Sequence, residues 1–407
     1  MRGYYEAWAT AHQEYDSGRA ARTGQLPEEE ERQQERAAGA KFATVRKRFE
    51  AEATRHRKEA GLRPILVPIP RVHAANLSVG RFRQEFALPR RAVIIEGLAE
   101  IVTGGGEGWG AEHWLSECGD STVQAVRYEK GVKAWGGHVP AGQPTTLAAF
   151  VRAQTQADAE ADASQSKDSD GEYLADFGLV TGCPEGSWRE HMRVPAYFAQ
   201  DFFQEELPSS AGQWESAGKV SKRDCWPSVF IGSAGTRTGL HVDYASSHFW
   251  MLTTEGKKDW AVFPAQMAPF LYKGWSRPFF PVNPWALEKG VERRPLSAVA
   301  RGFKGSTQPG DVIFVPGGSI HAVRNTRSPT VALSMNYVDD TAVEQAAHDL
   351  ARNPRGEADE ELGRALARRI GQAGGGGDGP GLGPGRPLWE YKGVPRAEWL
   401  GPRRGEL

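Results

Sequence analysis

Two histidines and an aspartate are the residues of this chain best placed to do chemistry together. His241 and Asp243 stand two apart in Gly239–Tyr244 (GLHVDY). On a strand that spacing sends both side chains from one face, where they can grip a single ion. His321 follows the apolar run Val312–Pro316 and a Gly-Gly turn, and it supplies the third ligand. Two imidazoles and one carboxylate on one side of a metal leave the opposite positions open, a geometry suited to non-haem Fe(II) and oxygen chemistry. A closed zinc site would need a fourth ligand, and no cysteine is near. The tripeptide alone carries little weight: with 10 histidines and 51 acids in 407 residues, roughly one His-x-acid arises by chance. Its setting gives it weight, with a Gly-rich turn before His241, Lys258 on a following strand and His321 after the Pro-Gly-Gly turn. His113, His138 and His248 read as ordinary structural histidines. The bland alternative has Lys257 and Lys258 both simply exposed in their Gly-Lys-Lys turn.

These ligands need a rigid frame. From Pro64 onward short β-rich pieces bounded by Gly and Pro follow one another: Ala92–Ile95, Val123–Tyr128, Ser228–Gly232, Phe249–Thr253, Trp260–Phe263, Val312–Val315 and Val331–Tyr337. Many short strands without alternating long helices point to a sandwich or barrel, not a parallel α/β sheet. Residues 1–63 read as a charged helical extension with Phe42, Val45 and Phe49 at helical spacing. The expected catalytic domain spans 64–340 with a polar insert at 157–171. A helical region follows at 341–373, then a Gly/Pro-rich, largely disordered tail at 374–407, whose aromatics in Leu388–Trp399 could dock back.

Composition narrows the function classes. With 50 Lys+Arg against 51 Asp+Glu the net charge is −1, so no whole-protein field draws nucleic acid or anionic lipid, and direct nucleic-acid binding is not expected. The longest apolar runs fall far short of a membrane span. Cys118, Cys183 and Cys225 are odd in number and far apart, which argues against a disulfide framework and for an intracellular, reducing compartment, cytoplasm or nucleus. The N-terminus lacks a secretory apolar stretch and is rich in acids nearby, unlike a transit peptide.

The run GTRTGLHVDYASSHFWMLTTEGKKDWAVFP (235–264), with QPGDVIFVPGGSIHAVRN (308–325) and TVALSMNY (330–337), resembles the JmjC domain of the cupin superfamily, the Fe(II)/2-oxoglutarate-dependent oxygenases. The segments RRAVIIEGL (90–98), EYLAD (172–176) and VPAYFAQDFF (194–203) extend the resemblance over about Pro64–Asp340. It implies a double-stranded β-helix, a jelly roll of two facing antiparallel sheets with flanking helices. It also implies Fe(II) held by His241, Asp243 and His321, 2-oxoglutarate as cosubstrate and dioxygen as oxidant. Lys258, seventeen residues after His241, matches the lysine that pairs with the distal carboxylate. Thr238 and Tyr173 match residues supporting the same carboxylate, and Ser334 and Asn336 match polar positions lining the cosubstrate pocket. A buried ammonium needs an anionic partner, which gives Lys258 a physical reason to be there. Met251 departs from the family, which often has asparagine there, and Ser334 stands where threonine is common. Trp250 and Trp260 are expected to pack the barrel interior.

The implied reaction consumes dioxygen, converts 2-oxoglutarate to succinate and carbon dioxide, and hydroxylates a substrate carbon. On an N-methyl group the product loses formaldehyde. No residue beyond the metal centre is required as a general base. The favoured reading is hydroxylation of a side chain in a protein or peptide substrate, because no Cys/His finger and no basic stripe accompanies the domain. A histone N-methyl demethylase would share every site residue. A catalytically silent cupin-like binding module is the third reading, favoured had a metal ligand or Lys258 been lost. Helical character in 343–373 is compatible with a homodimer.

Overall fold

The computed structural model describes residues 6–12, 14, 28–105, 108–128, 142–161, 171–206, 222–273, 280–352, 354, 356–371, 383–393 and 395–396. Among the described residues thirteen strands build the two large sheets, beside two small two-stranded ones that include Thr122–Val123: β1 Ile65–Pro68, β2 Arg71–His73, β3 Val93–Glu96, β4 Val126–Tyr128, β5 Gly171–Gly178, β6 Ser228–Gly232, β7 Arg237–His241, β8 His248–Glu255, β9 Lys258–Phe263, β10 Arg301–Thr307, β11 Val312–Val315, β12 Ile320–Asn325 and β13 Thr330–Tyr337. The smaller sheet runs β1-β10-β9-β12-β7 and the larger β2-β3-β11-β8-β13-β6-β5-β4. All the pairings are antiparallel except β1 with β10 and β2 with β3, which are parallel at the sheet edges. This is the expected jelly roll, with those two edges as the departure from a purely antiparallel pair of sheets.

Alternation along the strands explains the layers. Phe249 and Met251 of β8, Ile313 and Val315 of β11 and Ala332 of β13 meet Trp260 and Val262 of β9 and Val323 of β12 between the sheets. The intervening residues of the larger sheet, Trp250, Leu252, Phe314, Leu333 and Met335, face the opposite way and pack with the helical segments. Leu240, Ala261, Phe263, Ile320 and Ala322 on the far side of the smaller sheet are covered by Leu271, Phe280, Val282 and Leu287. Strands apolar on both faces are what a fully covered sheet requires. Trp260 thus lies in the barrel interior as expected, whereas Trp250 does not. It stacks on Phe198 at 5.5 Å on the helix-covered face, because it is one residue out of phase with Phe249 and Met251.

Helix α1, Glu28–Ala60, lies over the outside, where Phe42, Phe49 and Ala53 pack with Trp8, Phe270 and Leu296. Helices α2, Val343–Arg352, and α3, Glu357–Ala367, follow the last strand and bury Leu350, Leu362 and Leu366. The polar stretch 157–171 is helical to Ala161 and its residues 162–170 lie outside the described residues, as do 372–382 and 397–407 of the tail. Farther along that tail, Leu388–Tyr391 is a helical turn with Leu388 and Tyr391 buried. The Tyr391 hydroxyl donates to Asp201 Oδ2 at 2.6 Å, while Phe203 and Val338 N–H groups donate to Oδ1, each at 2.9 Å. Removing one donor from a buried carboxylate costs about 1.5–3 kcal/mol. Tyr391→Phe should therefore lower the urea midpoint by a corresponding amount with unchanged slope, and an unchanged midpoint would show that the tail contact contributes nothing.

A second expectation is corrected. Cys118 and Cys183 are disulfide-bonded, with Cα atoms 5.4 Å apart. Their separation of 65 residues in sequence concealed a tertiary contact: Cys118 ends the helix Ala111–Cys118 and Cys183 caps the turn Leu179–Gly182, and the Ser121 hydroxyl beside them donates to the Gly182 carbonyl. The cysteine count therefore no longer supports a reducing compartment. Among the described residues no helix is long and apolar enough to cross a membrane.

Candidate metal and cosubstrate site

His241 and His321 face each other across β7 and β12 in directly opposed register, with ring centroids 4.2 Å apart. Asp243, just past the end of β7, closes the group: its Oδ1 lies 3.3 Å from His241 Nε2 and 3.6 Å from His321 Nε2. The three potential ligand atoms all lie within 4.8 Å of one another. The other ring nitrogens point at backbone carbonyls, His241 Nδ1 to Gly239 O at 2.8 Å and His321 Nδ1 to Ser319 O at 3.3 Å. Such bonds place the proton on Nδ1 and leave the Nε2 lone pair for a metal.

Asp243 is held from two sides. Asn336 Nδ2 donates to its Oδ2 and to Ser247 Oγ, both at 3.0 Å, so Oδ1 alone faces the imidazoles. The following turn is tight, with Ala245 (φ 52°) and Ser246 (φ 49°) both left-handed. This conformation costs non-glycine residues about 1–3 kcal/mol each and tends to persist at functional sites. Tyr244 pins the turn by donating to Asp359 Oδ1 of α3 at 2.6 Å. Asn336, expected to line the cosubstrate pocket, is thus committed to the aspartate. Loss of such an outer partner typically costs 10–100-fold in metal affinity. Asn336→Ala should weaken Mn(II) binding within that range in a titration, and unchanged affinity would contradict this role.

Charge follows the same geometry. Burial pushes the His321 pKa down to about 4, with the neighbouring His241 adding to the effect. Burial opposes charge on His241 as well, but its contact with Asp243 outweighs this and raises its pKa. Asp243 is held below its ordinary value against burial by the two imidazoles and Asn336. Once both Nε2 atoms are free of a proton, two imidazoles and one carboxylate form a donor set that suits a divalent first-row metal.

Lys258 lies farther along the same inner face. It pairs with Asn325, four residues after His321 on β12, so the metal group and Lys258 are roughly 13 Å of strand apart. That leaves room for a five-carbon dicarboxylate and the lysine stem. The ammonium is fully buried. Nζ donates to Asn325 Oδ1 at 2.9 Å and to the Tyr173 hydroxyl at 3.4 Å, and among the described residues no carboxylate lies within ion-pair distance. Burial pushes its pKa down to about 7. A buried ammonium held by neutral oxygens fits a site for an anionic ligand.

Thr238 reaches this face through a bulge. Thr238 pairs with Val323 and His241 with His321, three residues on β7 against two on β12. Strict alternation would put Thr238 and His241 on opposite faces, and the extra residue restores them to one. Tyr173 is fully buried on β5 opposite Gly232. A Cβ at Gly232 would meet the Tyr173 ring at 2.6 Å and Asn325 Nδ2 at 2.8 Å, so only glycine lets the two approach Lys258 together. Ser334 is buried on the inner face opposite Met251, its hydroxyl donated to the Trp250 carbonyl at 3.2 Å. His248 is structural, as expected: it accepts from Gly317 N–H at 2.6 Å through Nδ1, while Nε2 lies 2.9 Å from the Thr341 hydroxyl. His113 stacks on Trp109 at 5.4 Å, and His138 lies outside the described residues.

The sequence reading missed Asn325 and Thr236. Asn325 Nδ2 donates to Thr236 Oγ1 at 2.8 Å, and Thr236 donates to Ser233 O at 2.6 Å, a buried relay that fixes the lysine's partner. HAVRN gave a usable signal, since period two puts His321, Val323 and Asn325 on one face.

Residues 79–342, more than half of the chain, match the sequence profile of the cupin-like domain. The chain belongs to this cupin-like family. The JmjC kinship is also borne out by relatives. The cupin is 24% identical over 292 residues to "Arginine-specific demethylase JMJ20" of Arabidopsis thaliana, covering 68% of this chain and 58% of that protein. It is 24% identical over 168 residues to "2-oxoglutarate and iron-dependent oxygenase JMJD4" of Danio rerio, covering 41% of this chain and 36% of that protein. It is 24% identical over 291 residues to "Bifunctional arginine demethylase and lysyl-hydroxylase psr-1" of Caenorhabditis briggsae, covering 67% and 62%. The matches span less than two thirds of each of these relatives.

Proposed function

We propose that this cupin is a 2-oxoglutarate- and iron-dependent oxygenase that hydroxylates a side chain of a protein substrate. His241, Asp243 and His321 would hold Fe(II), and Lys258, Tyr173 and Thr238 would receive the distal carboxylate of 2-oxoglutarate. The observation that carries the reading is the shared inner face, with the open His-Asp-His group at one level and a buried, carboxylate-free ammonium at another. Metal and cosubstrate, when bound, would supply dioxygen-dependent oxidation of a C–H bond coupled to decarboxylation of 2-oxoglutarate.

The chain's own part is positioning and protection. The two Nδ1–carbonyl bonds aim the imidazoles, and Asn336 presents one aspartate oxygen. The Asn325–Thr236 relay holds the ammonium that orients a dicarboxylate. Phe249, Met251, Trp260 and Val262 make the surrounding wall apolar and exclude water. His241 and Asp243 keep some exposure while His321 is buried, so the metal group is reached from the side of His241 and Asp243, where a protein side chain would enter.

Relatives named for arginine demethylation support a demethylase as the second reading, with a histone as one substrate to test. Incubating the protein with Fe(II), 2-oxoglutarate and a peptide library, then reading mass and formaldehyde, tests both. A gained oxygen supports hydroxylation, and a lost methylene with formaldehyde supports demethylation. Failure to form succinate under any condition would leave the binding-module reading.

A further inference from the structure

The larger sheet carries a buried hydroxyl with no partner among the described residues: Ser228 Oγ, on a residue with no exposed surface. Ser228 pairs with Ser334 across β6 and β13, and Ser334 pairs with Met251 across β8. Directly opposed residues share a face, and Met251 points between the sheets, so Ser228 also faces the barrel interior. The neighbouring orphan groups Trp250 Nε1 and Tyr337 OH belong to side chains packed on the helix-covered face. Ser228 therefore stands apart as an unsatisfied donor on the face that carries the proposed site.

Its level in the barrel is informative. One row along, Phe249 pairs with Asn336. Asn336 holds Asp243, and the Phe249 ring lies 4.9 Å from that of His321. One row the other way, the Phe230 ring lies 5.9 Å from Lys258 Nζ. The Ser228–Ser334–Met251 row thus lies between the metal group and the ammonium. Within it Met251 has no donor and Ser334 has given its hydrogen to Trp250 O, so only Ser228 keeps a hydroxyl hydrogen to offer.

We propose that Ser228 is a cosubstrate-binding residue whose hydroxyl donates to an oxygen of the 2-oxoacid. This rests on the oxygenase reading above. Buried polar groups are rarely left unpaired, and an anionic ligand spanning the rows would satisfy this one.

The test uses the full-length protein with Mn(II) in place of Fe(II), comparing wild type and Ser228→Ala. The 2-oxoglutarate Kd is measured by calorimetry, together with the Mn(II) Kd and the melting temperature of the ligand-free protein. A hydrogen bond to a charged group supports a loss of about tenfold or more. The expected result is a 2-oxoglutarate Kd raised more than threefold, with Mn(II) affinity unchanged and the ligand-free variant melting at or above wild type, because an unsatisfied hydroxyl has been removed. A Kd change of threefold or less overturns the proposal. So does a ligand-free variant that melts below wild type, which would mark the hydroxyl as structural. If wild type with Mn(II) binds no 2-oxoglutarate at all, the oxygenase reading itself falls and this proposal with it.

Discussion

Lys258→Ala should weaken 2-oxoglutarate binding by about thirtyfold or more while leaving metal affinity within a few-fold of wild type. The ammonium is buried beside Asn325 and Tyr173, and removing one partner of a buried charge pair typically costs about 2–5 kcal/mol. The same residue sets a pH dependence. Burial brings its pKa down to about 7 in the ligand-free fold, whereas an unfolded lysine keeps its proton to about 10.4. Between those values the unfolded chain binds more protons, so ligand-free stability should rise as pH increases from 7 to 10. Binding a dicarboxylate requires the ammonium, so 2-oxoglutarate affinity should fall up to tenfold per pH unit above 7. Calorimetric titration across pH 6.5–9 checks both the residue and the sign. A flat profile, or Lys258→Ala within threefold of wild type, would show that the ammonium does not receive the cosubstrate.

Asp243→Ala should weaken Mn(II) and Fe(II) binding by at least a hundredfold, since loss of even an outer partner of a ligand costs 10–100-fold. It removes the only carboxylate of the group and leaves two imidazoles facing each other with ring centroids 4.2 Å apart. Contact with Asp243 raises the His241 pKa against burial, so below that pKa the metal must displace a proton from His241. Metal affinity should therefore fall as pH drops through the imidazole range. His321, neutral down to about pH 4, adds nothing to that dependence until much lower pH. Electron paramagnetic resonance of free Mn(II) measures both effects. Retained affinity in Asp243→Ala would mean that the carboxylate is not a ligand.

Much of the site was legible because strand periodicity is local. His-x-Asp on a strand and a distant histidine after a Pro-Gly-Gly turn suffice to suggest one ion, and the structure brings His241, Asp243 and His321 together. The strands Ser228–Gly232 and Val312–Val315 were readable residue for residue from their apolar runs. What escaped depends on tertiary context. The bulge between Thr238 and His241 is a property of the pairing with β12. Val123–Tyr128 reads as one strand, yet Thr122–Val123 and Val126–Tyr128 join different sheets. Arg301–Thr307, with two glycines and two cations, hides its strand because only its pairing with β9 and β1 makes it one. Gly171–Gly178 borders a polar stretch and takes its order from β6 and β4.

The most direct measurement is anaerobic absorbance of the full-length protein on adding Fe(II) and then 2-oxoglutarate. A visible charge-transfer band that requires both additions is predicted for wild type, absent in Asp243→Ala and displaced to much higher 2-oxoglutarate in Lys258→Ala. Wild-type protein that binds Fe(II) yet gives no band at saturating 2-oxoglutarate would contradict the assignment of Lys258 and its inner face as a cosubstrate site.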